Sequence, residues 1–165
     1  MSSRATDSGP RPQEADFGIL LALAYRVYVD ELHAALAARG YPDMRPSFGA
    51  VFRALHEQPL TLTQLAEQLG TSKQAAAKLV AELVERGLVV QRASDEDRRR
   101  KDLTLSPRGR ALVRAAIDVG AKVEARLVAE VGARAVAGLR AALEHLIVTG
   151  GGQAELRARR TRPVW

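Results

Sequence analysis

Two groups of polar side chains have the types and spacing to do chemistry. Ser72, Lys73, Gln74 and Lys78 fall close together, and Asp97, Arg98, Arg99 and Arg100 form a second group further along. The hydroxyl and the two ammonium groups suit phosphate oxygens, the lysines can also read guanine, and a Gln amide can pair bidentately with an adenine edge. Guanidinium groups on a projecting loop suit a narrow minor groove, whose negative potential draws Arg inward. Asp97 can fork onto Arg99 and hold such a loop in shape. Gln74 is the best candidate for reading a base, and Thr61, just before a nearby helix, joins the same DNA-contacting set. A charge run alone is most often a solvated face, so position must decide.

The other chemistry-bearing residues do not converge. The three histidines, His33, His56 and His145, lack metal-ligand spacing, and the absence of cysteine removes thiolate zinc sites, disulfides and thiol redox sensing. Gly150-Gly151-Gly152 lacks the following Lys and Ser or Thr of a phosphate loop. Ser72 and Ser106 fall at helix starts with no paired base, so capping explains them better than nucleophilic catalysis. The reading therefore expects no catalytic residues, no metal and no cofactor.

With 165 residues, 47% of them hydrophobic and only 4% aromatic, the chain can bury one sizeable core built from helices packed through small side chains. The net charge of +6 points to a polyanionic partner, but part of it lies in the tail, where Gln153 to Trp165 holds four Arg against one Glu. Arg92 to Lys101 holds five cations against three acids and lies inside the folded region. The apolar run from Phe17 to Tyr25 is broken by Arg26 and is too short to span a bilayer, so a soluble, cytoplasmic protein is expected.

Periodicity supplies the elements that must position these groups. Leu21, Tyr25, Tyr28, Leu32 and Leu36 mark a first helix over Phe17 to Arg39, ended by Gly40 and apolar almost all round in its first half, as a subunit interface would be. A second helix starts at Pro46, turns Phe48, Val51, Phe52 and Leu55 inward and closes at Pro59. Thr61 and Gln64 form a capping box for a short third helix, with Gly70 in the left-handed terminal position. In the fourth, Ala76, Leu79, Val80, Leu83 and Val84 share one face until Gly87. Leu88 to Arg92 and Lys101 to Leu105 read as strands flanking a basic loop, and Ser106 with Pro107 starts a new helix. Leu112, Ala115, Val119, Val123 and Leu127 mark that fifth helix, and Val136, Leu139, Leu143, Leu146 and Ile147 a sixth between Gly132 and Gly150. Two short helices joined by a tight turn and followed by a hairpin and a helix make the winged helix-turn-helix plan. The fold class is mainly α.

From Leu62 to Ser72, from Leu79 to Val89, and from Asp97-Arg98-Arg99 into Leu103-Thr104-Leu105-Ser106-Pro107-Arg108-Gly109, the chain resembles the MarR family of transcriptional regulators, over roughly 17 to 148. The resemblance implies a homodimer holding double-stranded DNA, with Arg99 inserted from the wing, and recognition helices in successive major grooves about 34–36 Å apart on a pseudo-palindromic site. It implies a repressor that releases DNA when a small aromatic or lipophilic ligand fills a cleft which Tyr25, Tyr28, His33, Phe48, Phe52 and His56 could line. The same residues would also serve as ordinary core. Ala75, Ala76 and Ala77 depart from the family pattern, where Thr or Ser is common, and shift the weight of specificity toward DNA shape and the wing. The chain then divides into a disordered tail (1–16), a winged helix domain (17–149) and a flexible basic tail (150–165). Within that domain, 45–106 form the DNA-binding lobe and 17–40 with 107–149 the dimerisation helices. The alternative is a winged-helix module that binds protein and leaves DNA alone, against which the basic wing argues.

Overall fold

A computed structural model describes residues 16–93 and 101–157. The order is α1 (Phe17–Ala37), α2 (Pro46–Glu57), α3 (Leu62–Leu69), α4 (Lys73–Glu85), β1 (Val89–Ala93), β2 (Lys101–Leu105), α5 (Pro107–Val131), α6 (Ala133–Thr149) and α7 (Gln153–Arg157). It is the winged helix-turn-helix plan, flanked by long N- and C-terminal helices.

Helix α2 runs through the core because its apolar residues cover most of its circumference. Phe48 and Val51 are wholly buried, and Phe52 and Leu55 join Leu65, Leu69, Val80, Leu83, Leu88, Val89, Leu103, Leu105 and Leu112 in one cluster. Strands β1 and β2 pair antiparallel with Val89 opposite Leu105 and Ala93 opposite Lys101. Leu60, between α2 and α3, adds a bridge to Leu103 through bonds of 3.2 and 2.7 Å, so the linker before α3 is pinned to the wing.

Local cap chemistry sets several boundaries. The Thr61 hydroxyl accepts from the Gln64 amide at 3.2 Å while the Gln64 side chain accepts from the Thr61 amide at 2.9 Å, and Gly70 ends α3 at φ +63°. Ser106 accepts from the Gly109 amide, with Pro107 opening α5. A Thr61→Ala variant is expected to lose about 1 kcal/mol in denaturant unfolding. An unchanged midpoint would mean that the box contributes nothing.

Four expectations need correction. The Asp16 carboxylate, assigned to a disordered tail, caps α1 by accepting from the Gly18 and Ile19 amides at 2.7 and 3.4 Å. Helix α1 ends at Ala37, two residues short of the expected Arg39. Val84 is 40% exposed: each four-residue step overshoots a full turn by about 40°, so the row from Ala76 through Val80 has rotated off the buried stripe by that point. Gly150-Gly151-Gly152 was expected to open a disordered tail, but it turns the chain into α7.

Candidate nucleic-acid interface and the adjoining cavity

The turn between α3 and α4 is closed by main-chain bonds from Gly70 to Glu67 and from Thr71 to Ala66, each 3.1 Å. It fixes which side of α4 meets solvent. Ala76, Val80 and Leu83 are buried against the core, which leaves Gln74 and Lys78 exposed on the other side, while Lys73 and Ala75 are exposed in the first turn. Gln74 and Lys78 are four residues apart and so share one strip of the helix. The Ser72 hydroxyl accepts from the Ala75 amide at 3.1 Å, and its own hydrogen remains able to reach a phosphate oxygen. The three alanines therefore divide: Ala76 is packing, whereas Ala75 offers its methyl to solvent.

Thr61 is placed differently from that set. Its hydroxyl donates to Gln64 Oε1 at 3.0 Å and accepts from the Gln64 amide, so no hydrogen is left for a phosphate. It orients α3. Asp97, Arg98, Arg99 and Arg100 lie outside the described residues, between the ends of β1 and β2. At the base of that hairpin Arg92 and Lys101 are exposed, with Arg92 opposite Asp102 in the ladder.

Much of the positive charge is structural, which composition could not reveal. Arg39 donates to the Ala115 carbonyl at 2.9 Å, Arg108 to Gly40 at 2.9 Å, and Arg110 to Leu105 at 2.6 Å. Arg86 donates to Glu82 at 2.9 Å and to the Pro42 carbonyl at 3.3 Å. Arg45 also pairs with Glu82, and both guanidiniums lie over the Phe48 ring, at 4.3 and 5.3 Å from its centroid. This cluster ties the start of α2 to the end of α4 and so helps to set the pitch of the exposed strip. Only the Glu82–Arg86 spacing announces it in sequence.

Behind this lobe, α1, α2, α5, α6 and α7 line an open cavity of about 1060 Å³. Tyr25, Tyr28, His33, Phe48, Phe52 and His56 all line it. They are not equivalent: Phe48 and Phe52 are buried core residues, whereas Tyr25 and Tyr28 are 57% and 38% exposed. Gly120 of α5 admits the Tyr28 hydroxyl, since a Cβ there would lie 3.0 Å from it.

Sequence reading passed over Arg53, which also lines the cavity. The Arg53 guanidinium folds back over the turn of α2 at Gly49, where a Cβ would sit 3.5 Å from Nη1, an ordinary van der Waals contact. The residue as a whole is exposed, yet burial of its head lowers the guanidinium from its usual value, with Tyr25 and Tyr28 opposing the shift. It stays charged. Arg126 forks onto Glu31 at 2.8 and 2.7 Å, joining α1 to α5, and at the cavity wall Arg140 reaches Glu124 at 2.7 Å, joining α5 to α6.

Partial burial also lowers the His33 imidazole, with Asp30 opposing. The fold thus favours neutral His33. Its stabilising contribution is complete above the unfolded value of about 6.5 and is lost as pH falls through the depressed folded value. Unfolding titrations from roughly pH 7.5 to 5 should show wild type losing stability that a His33→Gln variant keeps. Parallel curves would contradict this assignment.

Among the described residues no group of His, Asp or Glu is arranged to hold a metal ion, and no helix is long and apolar enough to cross a membrane.

The family model described as MarR family matches residues 49–100. No curated protein matches the chain. Among solved structures, RV1404 from Mycobacterium tuberculosis is 26% identical with a TM-score of 0.69, over 86% of this chain and 99% of that one. A probable transcriptional regulator from Pseudomonas aeruginosa is 24% identical with a TM-score of 0.60, over 83% and 100%. A MepR variant from S. aureus, bound to an oligodeoxyribonucleotide, is 18% identical with a TM-score of 0.56, over 82% and 99%. These last two bear on the fold.

Proposed function

We propose, from the premise that this is a MarR-family chain with a winged helix-turn-helix fold, that it acts as a homodimeric repressor of transcription on a pseudo-palindromic DNA site. The observation that carries the reading is the exposed strip of α4. Gln74 and Lys78 face solvent on the side opposite a buried stripe, and Lys73 is exposed in the first turn beside the cap at Ser72. A major groove about 12 Å wide admits such a helix. The oligodeoxyribonucleotide bound by the MepR variant, a protein of the same fold, supports the assignment. The wing's Asp97, Arg98, Arg99 and Arg100 would grip the adjoining minor groove, with Arg99 inserted.

Residues 45–106 form the DNA-binding lobe in this reading, and 17–40 with 107–149 form the dimer. Phe17, Ile19, Leu20, Leu23 and Val27 are all more than 40% exposed on α1, as are Val131, Leu146 and Val148 on α5 and α6, none of which lines the cavity. Large apolar surfaces of this kind mark an interface. A twofold pairing would bury them and set two α4 helices on one face of the duplex. The cavity holds a small aromatic or lipophilic effector, whose unequal affinity for two dimer geometries changes the spacing of the α4 helices and releases DNA. Acting on the chromosome, the protein is cytoplasmic, and it has no enzymatic role.

Anisotropy titrations against genomic fragments at two salt concentrations test the reading. Nanomolar, salt-sensitive and sequence-selective binding supports it, and no binding to any fragment overturns it. A Lys73→Ala variant is expected to bind all sequences more weakly and to lower the salt slope by about 1 per lost contact. Gln74→Ala should cost about 1–3 kcal/mol per half-site and relax preference at one base position. If selectivity survives in Gln74→Ala, another residue reads the base.

A further inference from the structure

The chain does not end where α6 ends. At Gly150-Gly151-Gly152 it turns back, and all three amides bond to the last turn of α6: Gly150 to Leu146 at 3.0 Å, Gly151 to Val148 at 3.2 Å and Gly152 to Ile147 at 2.8 Å. Gly151 stands at φ +85°, a conformation that other residues rarely adopt. A Cβ on Gly152 would lie 2.8 Å from Ile147 Cγ2 and 3.1 Å from the Ile147 carbonyl. The turn is thus built for glycine, and its product is a fixed position for α7. That position puts Leu156 on the wall of the cavity that Ile147 and Leu143 of α6 also line. Leu156 is 38% exposed and Ile147 41%, so both keep apolar surface that a bound molecule could cover.

We propose that α7 is part of the effector site, with Leu156 contacting the apolar end of the ligand and the glycine turn holding it there. This rests on the reading of the cavity as a ligand site. The guanidinium of Arg53 supplies a cation within the same cavity, so the ligand class that fits both features is an aromatic acid with an apolar tail. Acids too short to reach α7 would be indifferent to Leu156. Longer ones would depend on it.

Calorimetric titration of the full-length chain with benzoate and with para-hexylbenzoate tests this. The wild type is expected to bind para-hexylbenzoate more tightly than benzoate. Leu156→Ala should weaken the hexyl compound at least about fivefold, the loss of one or two buried methylene contacts, and leave benzoate within about twofold. Gly152→Val, which drives a side chain into Ile147 and displaces α7, should give the same selective loss. If both variants match wild type for the hexyl acid, α7 is not part of the site, and the cavity reading stands. If both acids weaken equally, Leu156 acts on the fold and the proposal fails. If wild type binds neither acid, the cavity reading and this inference fall together.

Discussion

Gly109→Ala is expected to destabilise the protein by about 3 kcal/mol or more, although alanine is the better helix former by about 1 kcal/mol. The residue lies in the first turn of α5, and a Cβ there would stand 2.1 Å from the Leu88 carbonyl oxygen and 3.1 Å from its carbon. Neither partner can step aside cheaply. The Leu88 carbonyl accepts from the Ser106 amide at 3.0 Å, and its own amide donates to Leu83 at 2.9 Å. Ser106 Oγ donates to the Gly87 carbonyl at 2.6 Å and accepts from the Gly109 amide at 2.9 Å. The start of β1 and the start of α5 are therefore stitched together, and a methyl group wedges them apart where α4, the wing and α5 meet. Gly138 of α6 is the control, since a Cβ there meets nothing within 4 Å. Gly138→Ala should stabilise by about 0.4–1 kcal/mol. Urea unfolding of the two variants should shift in opposite directions, and a Gly109→Ala protein as stable as wild type would show that the contact is not tight.

Leu23→Glu is expected to abolish dimers at micromolar concentration and to lower DNA affinity at least about a hundredfold, while leaving the protomer folded. Leu20, Leu23 and Val27 form a stripe on α1, and they are 42%, 45% and 58% exposed. None of them lines the cavity. Burying a leucine contributes about 1.5–3 kcal/mol, and an isologous interface repeats each contact, so one substitution removes it twice and adds two charges. Since every 1.4 kcal/mol is tenfold, the combined effect exceeds about a hundredfold in the dimer constant. Two half-sites held by one dimer then become two independent weak contacts. Sedimentation and anisotropy measured together check this, and a Leu23→Glu dimer with wild-type affinity would move the interface elsewhere.

What could be read from sequence was what local chemistry decides. Thr61 with Gln64, Gly70, Ser72 and Ser106 with Pro107 mark helix ends because a cap needs only its own next few residues. The same rule reached Asp16 too, but the residue was assigned to the tail because its neighbours before Phe17 are polar. Contacts between distant segments left weaker traces. Leu60 meets Leu103 across the whole of α3 and α4, and nothing local ties Arg39 or Arg108 to the carbonyls they serve. Gly109 was legible as a matched residue and its reason was not, because the 2.1 Å approach to Leu88 exists only once β1 has folded onto α5. Tyr25, Tyr28, His33, Phe48, Phe52 and His56 stand around one cavity, whereas Arg53 went unnoticed, since nothing in an isolated helix says that its guanidinium turns back over Gly49.

Selection of bound duplexes from a random DNA pool tests the central claim most directly. The account predicts an inverted repeat whose half-site centres lie about one helical turn apart, with preference at the position facing Gln74 lost in the Gln74→Ala protein. Recovery of no enriched sequence by a dimeric, folded protein would contradict it.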